Sequence, residues 1–197
     1  PVGVLFPVDG WAAMVAYYTD GPGFKPYYAG VQAGLRCVLS QRPGGEVLRV
    51  LEVGAGTGGL TSAVLPVLTE VCGDDGEGGF TFAYTDIGAM FLGKAEKDVR
   101  WSAWRDRMSF AVLDIERAPV EQGFIAHSYD MVCASDVLHA TADLRRTIGH
   151  VTQLLCDGGV LVALEVCGAT VTADMTWGLT DGWWLYGDEA EVRVNGR

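Results

Sequence analysis

The chain has 197 residues, of which 49% are hydrophobic and 20% charged, and 25 acids against 14 bases give a formal net charge of −11. That length holds one globular domain with a full core, and the acidity excludes a nucleic-acid backbone as its natural partner. No run approaches the ~20 apolar residues of a membrane-spanning helix, so no membrane segment is expected.

Residues 1–45 read as an aromatic lead-in with the first helices. The opening Pro1-Val2-Gly3 has no signal-peptide pattern and no Met, which reads as a piece of a longer polypeptide. A short helix is expected over 9–18 and a second over 29–41, where Val31, Leu35, Val38 and Leu39 recur at helical spacing. Residues 46–197 then read as the core. Strands are expected over 48–53, 80–85, 108–113, 129–135 and 160–166, with helices over 58–68, 90–105 and 143–155. Pro66 should end or kink the first of these helices, and 74–79 is a polar loop. After Trp184, residues 189–194 supply at most one further strand, so the last strands are not recognisable. Strands interleaved with helices predict an α/β, Rossmann-like, mostly parallel doubly wound sheet.

Leu51-Glu52-Val53-Gly54-Ala55-Gly56-Thr57-Gly58-Gly59 runs from a strand through a glycine loop into a helix. Glycine lets backbone approach a ligand where a Cβ would collide, and the helix N-terminus adds a positive dipole. The match to a dinucleotide loop is weak alone. Glu52, two residues before Gly54, repels a pyrophosphate but suits an amine or sulfonium, which favours S-adenosylmethionine over NAD. Asp86 ends the second strand, where an acid accepts ribose hydroxyls. Asp114-Ile115 ends the third, where it could pair with an adenine amine and pack on its ring.

The fourth strand leads into Ala134-Ser135-Asp136-Val137-Leu138-His139-Ala140-Thr141, and the fifth ends near Glu165. A His at this edge can serve as a general base, and a neighbouring carboxylate can orient its ring. His127 and His150 lack such company and read as surface residues. Trp177, Trp183 and Trp184 are either core packing or an apolar wall beside a substrate. Three histidines make no metal pattern, so no metal is expected. Five dispersed cysteines without CxxC fit a reducing, cytoplasmic compartment.

These motifs, with Leu5-Phe6-Pro7, Tyr84-Thr85-Asp86-Ile87, Leu113-Asp114-Ile115-Glu116, Glu121-Gln122-Gly123-Phe124, Tyr129-Asp130, Leu154-Leu155 with Gly158-Gly159, and Gly182-Trp183-Trp184, resemble the methyltransferase domain of type I polyketide synthases over most of residues 5–187. The resemblance implies His139 and Glu165 as a catalytic pair. It implies S-adenosylmethionine held by Glu52, Gly54, Ala55, Gly56, Gly58, Asp86, Ile87, Asp114, Ile115 and Ser135, with Trp183 and Trp184 at the substrate pocket. The sequence departs from the family at Asp157, where Pro is usual, at Gly88, where Ser is frequent, and in showing only a short aromatic lead-in where carbon-methylating members usually carry a helical lid, so the expectation is either an incomplete fragment or a minimal domain.

The expected reaction is methylation of a polyketide intermediate tethered to an acyl carrier protein, among neighbouring synthase domains. Carbon and oxygen acceptors stand near even, with a slight lean to oxygen because an open site suits a long tethered chain. The alternatives are a decayed structural domain of a megasynthase and a free small-molecule methyltransferase. Arg100, Arg105 and Arg107 are the candidate basic patch for an acidic carrier.

Overall fold

The computed structural model describes residues 10–42, 45–73, 79–168 and 171–185. Its centre is β1 (Leu48–Val53), whose Leu48 and Val50 face one side of the sheet and Leu51 and Val53 the other, all buried. A strand covered on both faces reads as a continuous apolar run, which is why it was visible in the sequence. It pairs in parallel with β2 (Phe80–Asp86) on one side and β4 (Tyr129–Ser135) on the other. With β3 (Met108–Val112) and β5 (Leu155–Leu164), the order is β3-β2-β1-β4-β5, all parallel. The strand order reverses between β1 and β4, so the crevice that forms at such a reversal lies beyond Val53 and Ser135.

The helices follow from the same alternation. On one face, α1 (Trp11–Asp20), α2 (Lys25–Leu39) and α3 (Gly59–Cys72) stack near the sheet. Tyr28, Leu35 and Leu39 of α2 join Val64 and Leu68 of α3 against Val50, Phe82 and Tyr84 in one core cluster. On the other face, Val151 and Leu154 of α5 (Leu144–Leu154) cover Leu51, Val53 and Val132. α4 (Ala89–Ala95) follows β2, and α6 (Val171–Thr176) follows β5. Among the described residues, no helix is long and apolar enough to cross a membrane.

Several boundaries differ from the sequence reading. α3 continues through Pro66 to Cys72, because Val64, Leu65, Val67 and Leu68 are fully buried and hold the helix where one N–H bond is missing. The helix expected over 90–105 divides into α4 and a 3-10 segment, Val99–Arg107. Asp98 caps that segment, its side chain accepting the Arg100 N–H at 2.9 Å, as a residue that favours helix starts does. β5 begins directly after α5, five residues before the expected start, and the ladder jumps from Tyr129↔Leu155 to Met131↔Val160 around Gly158 (φ 76°). The segment 189–194 lies outside the described residues.

Candidate active site

The glycine loop leaves β1 at the crevice. Gly54 has φ 62°, and a Cβ there would stand 2.4 Å from Cγ2 of Val137, in the loop after β4. Its bareness therefore serves packing between the two loops that flank the crevice. Gly56 (φ 57°) is different: a Cβ there would meet nothing nearer than the Gly54 carbonyl oxygen at 3.8 Å. It is at Gly56 that the loop leaves room for a ligand to approach backbone.

Asp86 ties the loop to β2. Its carboxylate accepts N–H bonds from Gly56 at 2.9 Å and Gly88 at 2.7 Å, and burial nevertheless pushes it above the usual carboxylate range. Each oxygen keeps a lone pair for a hydroxyl donor. Beside it Ile87 is 66% exposed, an apolar face at the sheet edge suited to a flat ring. Asp114 is held by Gln122, which accepts its N–H at 2.9 Å and donates to its carbonyl at 2.8 Å. The Asp114 carboxylate accepts the Glu116 N–H at 3.0 Å.

Two of the residues expected at the cofactor sit differently from that expectation. The Glu52 carboxylate is enclosed, 1% exposed, where the Thr61 hydroxyl donates to it at 2.5 Å. Burial and the nearby Asp86 charge push it up to about 8. Its place is inside, against α3, because a side chain on this face of β1 points at the helix. Ile115 is likewise enclosed, packed with Leu113 and Val151 in the second core cluster, so it presents no open platform to a ring. Ala55 is buried, and its N–H donates to the Thr85 carbonyl at 2.9 Å. Gly58 takes φ 79° at the start of α3, and Ser135 is hydrogen-bonded to the Tyr28 hydroxyl.

His139 and Glu165 meet. Nδ1 of His139 lies 2.7 Å from Oε2 of Glu165. Glu165, one residue past β5, also accepts the N–H groups of Val137 at 3.1 Å, Leu138 at 2.9 Å and His139 at 3.4 Å. It thereby closes the start of the 3-10 turn Leu138–Ala140 that carries the histidine. Trp183 packs edge-on against the imidazole, ring centres 5.3 Å apart, and is 8% exposed. Trp184 takes another course: it is 53% exposed and its indole N–H donates to the Gly178 carbonyl at 2.9 Å. Trp177 instead faces Tyr18, ring centres 5.8 Å apart.

Asp136, not singled out from the sequence, stands next to this pair. Asp136, His139 and Glu165 each bring a ligating atom within 4.8 Å of the others. Because Nδ1 and Oε2 bond directly to each other, the arrangement is a charge network before it is a ligand set. His127 is exposed, as expected, but His150 is tied inward, its Nδ1 2.7 Å from the Ile115 carbonyl.

The arginines are occupied as well. Arg100 donates to the Thr57 carbonyl at 2.7 Å, pairs with Asp98 at 2.7 Å and stacks on Trp101. Arg105 donates to the Ala95 and Asp98 carbonyls, and Arg107 lies over Phe80 and donates to the Gly73 carbonyl. They anchor the 3-10 segment and the glycine loop.

A glycine loop, a strand-end acid and an exposed apolar side chain at the switch point fit S-adenosylmethionine. Residues 51–161 match the family model described as methyltransferase domain. The hybrid PKS-NRPS synthetase lepA of Aspergillus flavus is 40% identical over 176 residues, which is 89% of this chain and 4% of that protein. The crystal structure of the CurJ carbon methyltransferase superposes with a TM-score of 0.85 at 36% identity, over 96% of this chain and 48% of that one. The trans-methyltransferase CalH, solved with SAH, gives a TM-score of 0.68 at 39% identity, over 79% of this chain and 41% of that one. The chain thus spans a small fraction of the curated relative and about half of the solved neighbours. It belongs to the methyltransferase domain family, as an S-adenosylmethionine-dependent methyltransferase domain of the polyketide-synthase type.

Proposed function

We propose that this domain methylates the α-carbon of a β-ketoacyl thioester tethered to an acyl carrier protein, with His139 as general base and Glu165 as its orienting acid. The observation that carries this reading is the 2.7 Å contact between His139 Nδ1 and Glu165 Oε2 at the switch point of the sheet. Glu165 can only accept, so Nδ1 carries the proton and the basic lone pair stands on Nε2.

S-adenosylmethionine, when bound, supplies an electrophilic methyl on a sulfonium; Gly56, Asp86, Ile87 and Ser135 would hold it. His139 Nε2 takes the α-proton, and the C–H electron pair passes into an enolate shared by the ketone and thioester carbonyls. The imidazolium left behind is stabilised by Glu165. Trp183 forms an apolar wall on the ring, which strengthens that attraction by keeping water away. The enolate carbon is then the nucleophile.

Carbon is favoured over the enol oxygen because the solved neighbour with a TM-score of 0.85 at 36% identity is a carbon methyltransferase. The relatives are multidomain synthases, which supports a carrier protein and adjoining synthase domains as partners. Mass spectrometry of a carrier-bound β-ketoacyl chain incubated with S-adenosylmethionine tests this. One methylene mass gained by the native domain and lost in His139→Ala supports it, with fragmentation placing the methyl on the α-carbon. A methyl on oxygen, or full activity in His139→Ala, overturns it.

A further inference from the structure

Asp136 is the residue at this site whose chemistry the His–Glu pair leaves unused. It is one of two non-glycine residues at positive φ among the described residues, at 51°. Asp tolerates that region at modest cost, and a residue held there by its surroundings points to function before stability. The surroundings do hold it. Its N–H donates to the Leu164 carbonyl at 2.8 Å, and its carboxylate accepts a backbone bond from Val166. Both partners flank Glu165, so Asp136 is locked to the strand end that carries the orienting acid.

We propose that Asp136 is a positioning residue for the base: a second anion, fixed against the His139–Glu165 pair, that raises the imidazole's hold on a proton. This rests on the general-base reading of His139. Two carboxylates within 4.8 Å of each other and of the ring favour the imidazolium more than either does alone. The cost falls on Asp136 itself. Burial and the Glu165 charge push it up to about 6, while the His139 charge opposes that rise. The other ionisable groups around the cluster are Tyr18 of α1 and Tyr28 of α2, both pushed up by burial and by the Asp136 charge. Among the described residues, Glu116, which accepts the Ala142 N–H just past the histidine turn, and Asp174, which accepts the Trp183 indole N–H, are further acids on the flanking elements. At neutral pH Asp136 is ionised and reinforces the base; on the acid side it takes a proton and the reinforcement is lost.

The test is Asp136→Asn, which keeps a residue tolerant of the left-handed backbone while removing the charge, with Asp136→Gly as a second variant that relieves the backbone altogether. The readouts are the pH profile of kcat/KM and the histidine resonances followed by NMR, with His139 assigned by its absence in His139→Ala. In both variants the acid limb and the His139 titration move to lower pH by roughly one unit, and the plateau rate falls about tenfold. A merely structural role lowers the melting temperature or the rate uniformly and leaves the limb and the titration in place; that result, in a variant that still binds S-adenosylmethionine, overturns the proposal. The NMR titration reads the charge effect without turnover. If His139→Ala proves active while the titration still shifts, the general-base reading fails and the electrostatic coupling stands.

Discussion

Glu165 grips His139 twice, by the ring at Nδ1 and by the backbone of the turn that carries it. One carboxylate therefore sets both where the imidazole sits and which nitrogen carries its proton. Glu165→Gln separates the two jobs. The amide oxygen must stay with the Val137 and Leu138 N–H groups, since turning it would set donor against donor, so the NH2 faces Nδ1. The ring then has to accept at Nδ1 and carry its proton on Nε2, where it is no longer a base. We expect the variant to fold with nearly native stability and to lose activity by about 10³–10⁴-fold, the scale seen when an orienting carboxylate becomes an amide elsewhere. A drop below tenfold would remove tautomer control as Glu165's role.

Gly54 couples the two loops by contact. A Cβ there would press into Val137, whose N–H is one of those bound by Glu165. Gly54→Ala is expected to cost about 1–3 kcal/mol from overpacking and from the positive φ, and to lower activity by displacing the histidine turn. Val137→Ala in the same chain should return the packing part but not the backbone part. A double-mutant cycle on melting temperature and kcat reads this directly, and strict additivity would show that the contact does not transmit.

The sheet was legible from the sequence because its central strands are buried on both faces, as in Leu48–Val53, and such runs leave an unambiguous pattern. That His139 and Glu165 lie together was suggested by two strand ends at one sheet edge and by the family resemblance, since 26 residues separate them and no spacing rule joins them. What escaped were contacts made by ordinary residues far apart in the chain. Arg100 reaches the Thr57 carbonyl across 43 positions, and read alone it is one more surface arginine. Ile115 and Glu52 were placed by type, but which face of the sheet each occupies is set by packing that a local reading does not carry. Asp136 was passed over because an Asp after a strand looks like a turn until its φ and its neighbours are known.

Arg100 offers a discriminating case. Bound to the Thr57 carbonyl and to Asp98, it steadies the far side of the glycine loop. Arg100→Ala is expected to weaken S-adenosylmethionine binding several-fold and to lower the melting temperature by a few degrees, in keeping with loss of one charge-assisted hydrogen bond at a half-buried site. Calorimetric titration with the cofactor checks the first and differential scanning the second. Unchanged cofactor affinity with weaker carrier binding would instead restore Arg100 to a docking role.

The enclosed Glu52 makes a pH signature for the whole fold. Its carboxyl is raised from an ordinary 4.5 to about 8, so between those values the native chain holds a proton that the unfolded chain has released. The native state binds more protons there, and stability falls as pH rises: it is complete below the ordinary carboxylate value and is lost as pH passes through about 8. Asp86 and Asp136, both raised, slope the same way. Glu52→Gln removes the largest of these slopes, because an amide beside Thr61 has no proton to lose. Melting temperatures taken from roughly pH 5 to pH 9 should decline steeply for the native chain and clearly less for the variant, which becomes the more stable of the two at the alkaline end. Equal slopes would mean that Glu52 is already ionised inside the fold, with the hydrogen bond from the Thr61 hydroxyl holding the charge.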